Sequence, residues 1–340
     1  MTFTREEDHG TDGTKEEEES QQYGEERSLA KKPRVEGDEE KELLAFLKRF
    51  RSNWMRTMSP FVGPLDATTG EDVGPRRYTN SGPPRFGGIP YDAMEIFSLK
   101  VTEIEGCLEW PLHVFGLVAV RDSMDYKRNI LFERSKDNCQ VLTAENPFLV
   151  LTGPSRAIAL IDPPGFEVDL SVIGRSPSEE KVLSAIYFQY NNICNECSAG
   201  QVQTLTESCE QRSTIELKFA HMSIPLEATI DVYHSEGSKD FHGRFCAHMD
   251  YMDKDEIVLL DSKDSKVPVS EGRIVLSRCV VLVEEGDELR LCAKAWQSGD
   301  GQNAPECIAK FPADIKGKSD GEFDVGFCKM SISVAWSVLV

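Results

Sequence analysis

From residue 95 onward, short apolar segments alternate with polar turn residues. FSLKVTEI, HVFGLVAVRD, TIELKF and MSISVAWSVLV are typical, because β-branched and aromatic side chains recur in them at alternate positions. A period of two predicts strands with one buried face, and short polar turns between such strands favour antiparallel pairing. We therefore predict a mainly β domain over residues 93–340, built as an antiparallel sandwich or barrel. One segment, EEKVLSAIYFQYNN, fits either a helix or a strand.

The tripeptide SKD occurs at residues 135–137 and again at 262–264. It is one of five landmarks that stand in the same order in both parts of the β region, with length differences confined to turns. The others are Gly116 with Gly243, the two MDY tripeptides, ILF with IVL, and SRAIALIDPPGFEVDL with SRCVVLVEEGDELRL. This shared order predicts an internal duplication with two related halves, at about residues 93–192 and 213–340. The alternative is that hairpins of similar chemistry recur without duplication.

Three segments of different composition precede the β region. Residues 1–42 contain fifteen Asp or Glu against seven Lys or Arg and almost no apolar side chains, so we predict a disordered acidic tail. Residues 43–58 carry apolar side chains at helical spacing and predict one amphipathic helix. Residues 59–92 contain six prolines and six glycines and predict an extended linker.

The predicted helix combines an apolar stripe with basic charge. Its stripe consists of Leu43, Leu47, Phe50, Trp54 and Met58, and its basic residues are Lys48, Arg49, Arg51 and Arg56. One interpretation is a helix that binds a partner or a membrane surface. We favour a helix packed against its own domain, because that is the usual fate of an apolar stripe.

The net charge limits the ligand classes. A formal charge of -20 and a pI near 4.8 argue against general polyanion binding, because phosphate neutralisation needs a surface of Lys and Arg. No segment has the apolar run of a signal peptide or of a membrane-spanning helix, so we expect a cytoplasmic or nuclear protein without a membrane span. The basic run from Lys31 to Arg34 is a candidate nuclear-import signal. The ten cysteines are widely spread and predict reduced thiols.

Motifs for catalysis and metal binding are incomplete. Four residues have the types of a zinc site, namely Cys194, Cys197, Cys209 and His221. Because no second closely spaced cysteine pair is present, we favour thiols in a connector between the halves. The tripeptide at residues 317–319, GKS, resembles the end of a phosphate-binding loop but lacks the earlier glycine and the following helix. We therefore predict no catalytic residue, no metal and no cofactor.

The turns of the two predicted halves differ in charge. The turn region of the second half is acidic, with Asp250, Asp253, Asp255, Asp261 and Asp264. The equivalent region of the first half is basic, and five of its residues form a candidate interaction loop: Arg121, Tyr126, Lys127, Arg128 and Arg134. The alternative is that both regions are solvated turns whose charges complement each other across the repeat.

The stretches WPLHVFGLVAVRDSMDYKRNILFERSKDNCQVL and LVLTGPSRAIALIDPPGFEVDLSV resemble a plant family called domain of unknown function 6598, which is abundant in grasses. The entry segment YDAMEIFSLKVTEIEG and the closing FDVGFCKMSISVAWSVLV extend the resemblance over about residues 90–339. Some relatives join this domain to a ribosome-inactivating glycosidase in jasmonate-induced proteins, which implies a link to stress and translation control. The Glu-Ala-x-x-Arg helix of that glycosidase has no match in this sequence, so the resemblance implies no depurination activity.

Three functional hypotheses follow. The first is a non-catalytic β-rich interaction or regulatory module with an unknown protein partner, related to stress. The second is a binder of RNA or of the translation machinery, which would use the basic loop from Arg121 to Arg134 and the exposed ring of Tyr126. The third is an enzyme whose site the motifs do not reveal. The sequence leaves the ligand and the oligomeric state open.

Overall fold

The computed structural model describes residues 36–84, 88–174, 179–191, 201–249, 255–263, 265–297 and 304–340. Residues 40–340 form one compact unit. Four predicted features lie outside the described residues: the acidic segment 1–35, its basic run from Lys31 to Arg34, the Cys194 and Cys197 pair, and the aspartates at positions 250, 253 and 264. Within the described ranges, no helix is long and apolar enough to cross a membrane.

The first half of the β region forms two antiparallel sheets. Its described strands are β1 Ala93–Ile104, β2 Leu112–Arg121, β3 Asn129–Arg134, β4 Gln140–Leu142, β5 Ile158–Ala159, β6 Gly165–Ile173, β7 Glu180–Gln189, β8 Val202–Cys209 and β9 Ser213–Met222. One sheet has the order β5-β1-β9-β8, and the other has the order β3-β2-β6-β7 with β4 paired to β2. The segment that fitted either a helix or a strand is therefore a strand, β7.

The second half also forms two antiparallel sheets. Its described strands are β10 Leu226–Gly237, β11 His242–His248, β12 Ile257–Asp261, β13 Val269–Ser270, β14 Arg273–Ile274, β15 Val280–Val283, β16 Glu288–Trp296, β17 Glu306–Pro312, β18 Lys316–Asp324 and β19 Cys328–Val338. One sheet has the order β13-β14-β10-β19-β18 with β15 paired to β10, and the other has the order β12-β11-β16-β17.

The two halves share one strand order. In the first half, β1 lies between β5 and β9; in the second half, β10 lies in the same way between β15 and β19. The remaining sheets also correspond, because the order β3-β2-β6-β7 in the first half matches the order β12-β11-β16-β17 in the second. The repeated SKD tripeptide begins directly after β3 in one half and after β12 in the other. The prediction of a mainly β, antiparallel protein with two pseudo-repeated halves is confirmed. The core consists of two buried clusters. One lies in the first half and includes Phe132 and Phe166; the other includes Phe245 and Trp336 of the second half and also first-half side chains such as Phe97.

The boundary between the halves lies later than residue 213, where the sequence analysis began the second half. Strand β9 begins at Ser213 but pairs along β1, from Ile104 with Ser213 to Ala93 with Met222. The matching landmarks end before β8, so they carried no information about the strands that close the first half. The second half begins with β10 at Leu226.

The amphipathic helix packs against the first half. Helix α1 spans Glu36–Thr57, so it begins earlier than the predicted residue 43, and a short helix α2 follows at Ser59–Val62. The Trp54 side chain is buried and its indole N–H donates to the carbonyl of Gly63 over 3.2 Å. The rings of Phe50 and Tyr187 are 5.0 Å apart, which places the helix beside β7.

The segment after the helix is not an extended linker, contrary to the prediction for residues 59–92. The backbone N–H of Thr69 donates to the carbonyl of Arg128, which belongs to the first half. The Arg76 guanidinium lies 2.5 Å from Asp231 on β10, which belongs to the second half. Composition rich in proline and glycine indicated turns correctly but could not reveal these partners, which lie far away along the chain. The segment therefore contacts both halves.

Candidate functional site

A cavity of about 580 Å³ opens between the two halves, and we name it the seam groove. Its first-half wall comes from β1, β8, β9 and residues 146–151; its second-half wall comes from β11, β12 and residues 277–278. Small-ligand sites commonly have volumes of roughly 300–1,000 Å³ and lie between structural units. The seam groove is therefore the candidate functional site.

A buried ion pair lies at the floor of the seam groove and joins the halves. The side chain of Arg278 is only 1% exposed, and its Nη2 donates to Glu95 Oε1 on β1 over 2.7 Å. Its Nη1 donates to the Ile96 carbonyl over 2.6 Å. The second oxygen of Glu95 accepts the backbone N–H of Leu282 over 2.6 Å. Burial raises the pKa of Glu95 despite the opposing effect of Arg278.

A second buried carboxylate makes the reciprocal link. Glu227 on β10 of the second half accepts the backbone N–H of Ala157 in the first half over 2.8 Å. Its other oxygen accepts the backbone N–H of Arg76 over 3.1 Å. Burial raises the pKa of Glu227 as well. Because each half places a carboxylate under a backbone donor of the other, the relative position of the groove walls is fixed by hydrogen bonds in the interior.

Apolar side chains line the inner part of the groove. Phe97, Leu149, Leu151 and Leu260 are buried side chains in its wall. Phe148 stands closer to solvent, with 44% of its surface exposed. The Lys100 ammonium lies 5.7 Å from the centre of the Phe148 ring, within the distance of a cation–π contact. A ligand in the groove would therefore meet apolar surface below charged groups.

Charged side chains of both signs surround this apolar surface. Most of them are paired with one another, whereas the exposed Lys263 makes no ion pair with a described residue. Lys100 lies 2.7 Å from Glu216, Lys218 lies 2.5 Å from Asp255, and Arg244 lies 2.7 Å from Asp261. Arg244 also pairs with Glu256. Burial opposes ionisation of Glu256, but the Cys246 thiol and Arg244 outweigh it, so the pKa of Glu256 is lowered. The groove thus presents donors and acceptors without a large excess of either charge.

One thiol lies behind this wall. Burial, followed by the charge of Glu256, raises the pKa of Cys246 to about 12. The thiol is therefore protonated at neutral pH, whereas the thiolate is the nucleophilic and metal-binding form. Within the described part of the chain, no group of three or more His, Cys, Asp or Glu side chains is arranged to hold a metal ion.

Two members of the predicted interaction loop, Arg121 and Arg128, share one carboxylate inside the first half. Arg121 Nη2 lies 2.8 Å and Arg128 Nη2 lies 2.5 Å from the oxygens of Glu167 on β6. Arg121 also donates to the Leu65 carbonyl over 2.6 Å and lies 4.3 Å from the centre of the Trp54 ring. Burial opposes ionisation of Glu167, but the two guanidinium groups outweigh it and lower its pKa. Arg121 therefore connects helix α1 and the segment after it to the first half, and Arg128 does so through its carbonyl, which accepts the backbone N–H of Thr69.

The other three predicted loop residues are Tyr126, Lys127 and Arg134. Tyr126 is 38% exposed and has a backbone φ of +54°, in the left-handed region. Lys127 is partly exposed, and its backbone N–H donates to Asp125 over 3.0 Å. Arg134 ends β3, with its buried Nε lacking a hydrogen-bond partner among the described residues. None of the five predicted residues lines the seam groove.

The two described members of the predicted zinc set lie in packed strand positions. Cys209 is buried at the end of β8, and its sulfur accepts the backbone N–H of Ala185 over 3.5 Å. His221 on β9 pairs its Nε2 with Asp92 over 3.0 Å. Each is therefore accounted for by a neighbour within the first half.

Among the residues that line the groove, the sequence analysis named Asp255 and Asp261, as part of the acidic turn region of the second half, but it did not identify the buried arginine beneath them. A signal was nevertheless present, because the repeated Ser-Arg dipeptide aligns Arg156 with Arg278. Both arginines are buried, and each binds a carboxylate: Arg156 pairs with Asp122 over 2.7 Å, whereas Arg278 crosses to Glu95. A matched pair of arginines directly before apolar strand segments indicates buried ion pairs, since an unpaired buried charge is very costly.

Together, the fold and the groove define a class: a duplicated β-sheet protein with a candidate binding site between its halves. The chain belongs to the family described as Domain of unknown function (DUF6598), whose model matches residues 93–334. The comparison with curated proteins gives no match.

Among solved structures, the chain is similar to human GIVD cytosolic phospholipase A2, with 11% identity, 74% of this chain and 33% of that chain covered, and a TM-score of 0.25. The same enzyme in complex with methyl gamma-linolenyl fluorophosphonate is 10% identical, and the match covers 73% of this chain and 32% of the enzyme chain, with a TM-score of 0.23. The chain spans about a third of the length of these structures. At these TM-scores the likeness carries no argument about activity.

Proposed function

We propose that this protein is a non-catalytic interaction module that holds its partner in the seam groove. The observation that carries the proposal is the groove itself: a cavity of about 580 Å³ with apolar surface and paired charges, built jointly by both halves. Binding sites commonly combine a mostly apolar lining with a few placed polar groups. Protein partners in particular match such a mixed surface.

The interior links between the halves support binding without large rearrangement. The Arg278–Glu95 ion pair and the Glu227 hydrogen bond to Ala157 hold the two walls in a defined relation. A site that is ordered before binding loses less conformational entropy when the partner arrives. The duplicated architecture thus provides an ordered frame for a site between the two halves.

Non-catalytic binding fits the chemistry of the walls. Four of the five cations that line the groove are engaged by carboxylates, with Lys263 the exception, and the nearby Cys246 thiol is held in its unreactive protonated form. The family resemblance adds an association with plant stress responses, which we keep as part of the proposal. The eight described cysteines are all free thiols, which supports a reducing compartment such as the cytoplasm or the nucleus.

RNA binding through the basic loop is the weaker proposal. Arg121 and Arg128 are engaged by Glu167, so a phosphate group would have to displace a buried ion pair to reach them. Lys127 remains the lysine of that loop that phosphate could approach. Removing one phosphate contact weakens RNA binding across sequences and reduces its salt dependence. A Lys127→Glu variant is therefore a direct probe of this alternative.

The experiment is affinity capture from an extract of the source tissue, with the full chain as bait and with or without ribonuclease. The test variant, Phe148→Asp, places a charge in the groove at a side chain that is 44% exposed. The control variant, Ile308→Asp, places the same charge outside the groove, at a side chain on β17 that is 54% exposed. We expect the wild-type bait to capture a protein whose recovery does not change when ribonuclease is added. The Ile308→Asp bait should retain this protein, and the Phe148→Asp bait should lose it. Capture that depends on RNA and is lost with Lys127→Glu would replace this proposal by the alternative.

A further inference from the structure

A buried arginine without a carboxylate partner lies against Cys107 in the first half. Arg212 is 2% exposed, and its Nη1 donates to Cys107 Sγ over 3.7 Å. Its Nε and Nη2 are buried and have no hydrogen-bond partner among the described residues, none of which forms an ion pair with it. A guanidinium keeps its positive charge at physiological pH. Among the described groups, the Cys107 sulfur is therefore the acceptor that this buried cation contacts.

The backbone holds the thiol over the guanidinium. Cys107 belongs to the loop between β1 and β2, and Arg212 belongs to the turn between β8 and β9. The backbone N–H of Glu105 donates to the Arg212 carbonyl over 2.8 Å. The next residue, Gly106, has a φ of +68°, and a Cβ there would lie 3.1 Å from the Gln211 carbonyl oxygen. The loop therefore rests directly on the turn, where glycine permits both the positive φ and the close approach.

The guanidinium favours oxidation of this sulfur for two reasons. A cationic side chain beside a thiol promotes its reaction, because it stabilises negative charge on the sulfur. In addition, an oxygen atom added to the sulfur brings an acceptor toward Nε and Nη2 of Arg212, which lack one among the described residues. The buried arginine thus favours both the attack by the sulfur and the oxidised product.

Exposure and neighbours separate Cys107 from the other described cysteines. Four of the eight are buried, whereas Cys107 is partly exposed and can meet a small solute. Among the other partly exposed thiols, Cys307 donates its S–H to a backbone carbonyl over 3.0 Å. Burial raises the pKa of Cys279, and Cys139 lies 3.9 Å from a ring nitrogen of His113. Only at Cys107 does a buried guanidinium donate to the sulfur of a described cysteine.

We propose that Cys107 is an oxidation-sensitive modification site, at which a small hydroperoxide converts the thiol to a sulfenic acid beside Arg212. The sulfur attacks one oxygen of the peroxide, so that an S–O bond forms and the O–O bond breaks. The leaving oxygen takes the thiol proton and departs as water, when the oxidant is hydrogen peroxide. The sulfur is oxidised by two electrons and the peroxide is reduced by two. Neither residue lines the seam groove, so this inference is independent of the proposed function.

The test exposes the reduced full chain to a small excess of hydrogen peroxide in the presence of dimedone, which traps sulfenic acids. Peptide mass spectrometry then measures the rate of labelling at each cysteine in one sample. The internal control is Cys307, which is also partly exposed but donates its S–H to a carbonyl. Two variants test the cation: Arg212→Met replaces it by an apolar chain of similar length, and Arg212→Lys keeps the charge.

We expect labelling of Cys107 in the wild-type protein to be about tenfold faster than labelling of Cys307, the size of one hydrogen bond to a charged group. Arg212→Met should slow labelling of Cys107 about tenfold and leave that of Cys307 within about twofold. Arg212→Lys should retain most of the wild-type rate, because the ammonium supplies the same charge. We expect Arg212→Met to fold, since it removes a buried cation and breaks no ion pair with a described residue.

Two results would overturn the inference. Equal labelling of Cys107 and Cys307 in the wild-type protein is the first, and this comparison does not depend on the stability of any variant. The second is an unchanged rate at Cys107 in Arg212→Met, because the sulfur would then react without help from the guanidinium. Neither result would affect the proposed function, which concerns the seam groove.

Discussion

Replacing Glu95 by glutamine leaves Arg278 in the interior without its charge partner. The two side chains are 2% and 1% exposed and lie 2.7 Å apart, so solvent cannot screen the charge that remains. The oxygen of the new amide could still accept from Arg278, but its nitrogen cannot accept the backbone N–H of Leu282, which now binds Glu95 over 2.6 Å. The substitution therefore removes a counter-charge and one backbone hydrogen bond.

The expected cost follows from these two losses. Removing one partner of a buried ion pair costs about 3–5 kcal/mol, and the retained hydrogen bond places Glu95→Gln at about 3 kcal/mol. The matched control is Asp240→Asn, which breaks the pair between Lys266 and Asp240 at 2.8 Å, with both side chains more than 60% exposed. An exposed pair contributes about 0–1 kcal/mol.

The assay is urea unfolding of the full chain at neutral pH, followed by circular dichroism, for the wild type and both variants. We expect the midpoint to fall clearly for Glu95→Gln and to stay almost unchanged for Asp240→Asn. Equal midpoints for the two variants would refute the reasoning, because the Arg278–Glu95 pair would then contribute no more than a surface pair.

The same pair makes a pH prediction of defined sign. The pKa of Glu95 is raised, because burial outweighs Arg278, so the folded state binds this proton more tightly than the unfolded state. This group therefore adds stability as the pH falls through its folded pKa. Arg278→Met removes the opposing cation and raises that pKa further. Its cost should be larger at pH 7.5 than at about pH 5, as measured by the same unfolding experiment; a cost that grows on acidification would contradict the assignment.

Two further predictions concern the first half. Gly116→Ala should destabilise the protein by about 2 kcal/mol more than Gly286→Ala, as measured by thermal unfolding. Both glycines have positive φ, but only a Cβ at position 116 would clash with a backbone oxygen of the adjacent strand. Equal losses in the two variants would exclude this close approach. Glu167→Gln should cost about 3 kcal/mol at pH 7, since it leaves Arg121 and Arg128 unpaired. The pKa of Glu167 is lowered in the folded protein. The cost of the substitution should therefore be complete above the ordinary pKa of a carboxyl group and should disappear as the pH falls through the pKa of Glu167 in the folded state. A cost that does not depend on pH would contradict the ion pairs.

The repeat could be predicted because its signal is local. Strand alternation and the order of landmarks such as SKD depend on residues near one another in the chain, and the strand order bears them out. The segment from residue 59 to 92 differs, because its structure depends on distant groups. Its Arg76 binds Asp231, and its Tyr78 backbone N–H binds Ser337, more than 150 residues away in each case.

The site was harder to predict than the fold, for the same reason. The basic residues at 121 and 128 resembled a binding loop, but the sequence cannot show that Glu167, on another strand, engages both. The groove itself combines β1 with residues 277–278, which come together only when the two halves dock. Only the alignment of Arg156 with Arg278 carried a local sign of the buried pairs at the seam.

The central claim is that a partner occupies the seam groove, and site-specific photo-crosslinking tests it most directly. A benzoylphenylalanine placed at Phe148 lies in the groove wall, and one placed at Ile308 is the exposed control on β17. In extract of the source tissue, we predict a defined crosslinked protein from position 148 that is absent from position 308. The same crosslinks from both positions, or crosslinks from position 308 alone, would contradict the account.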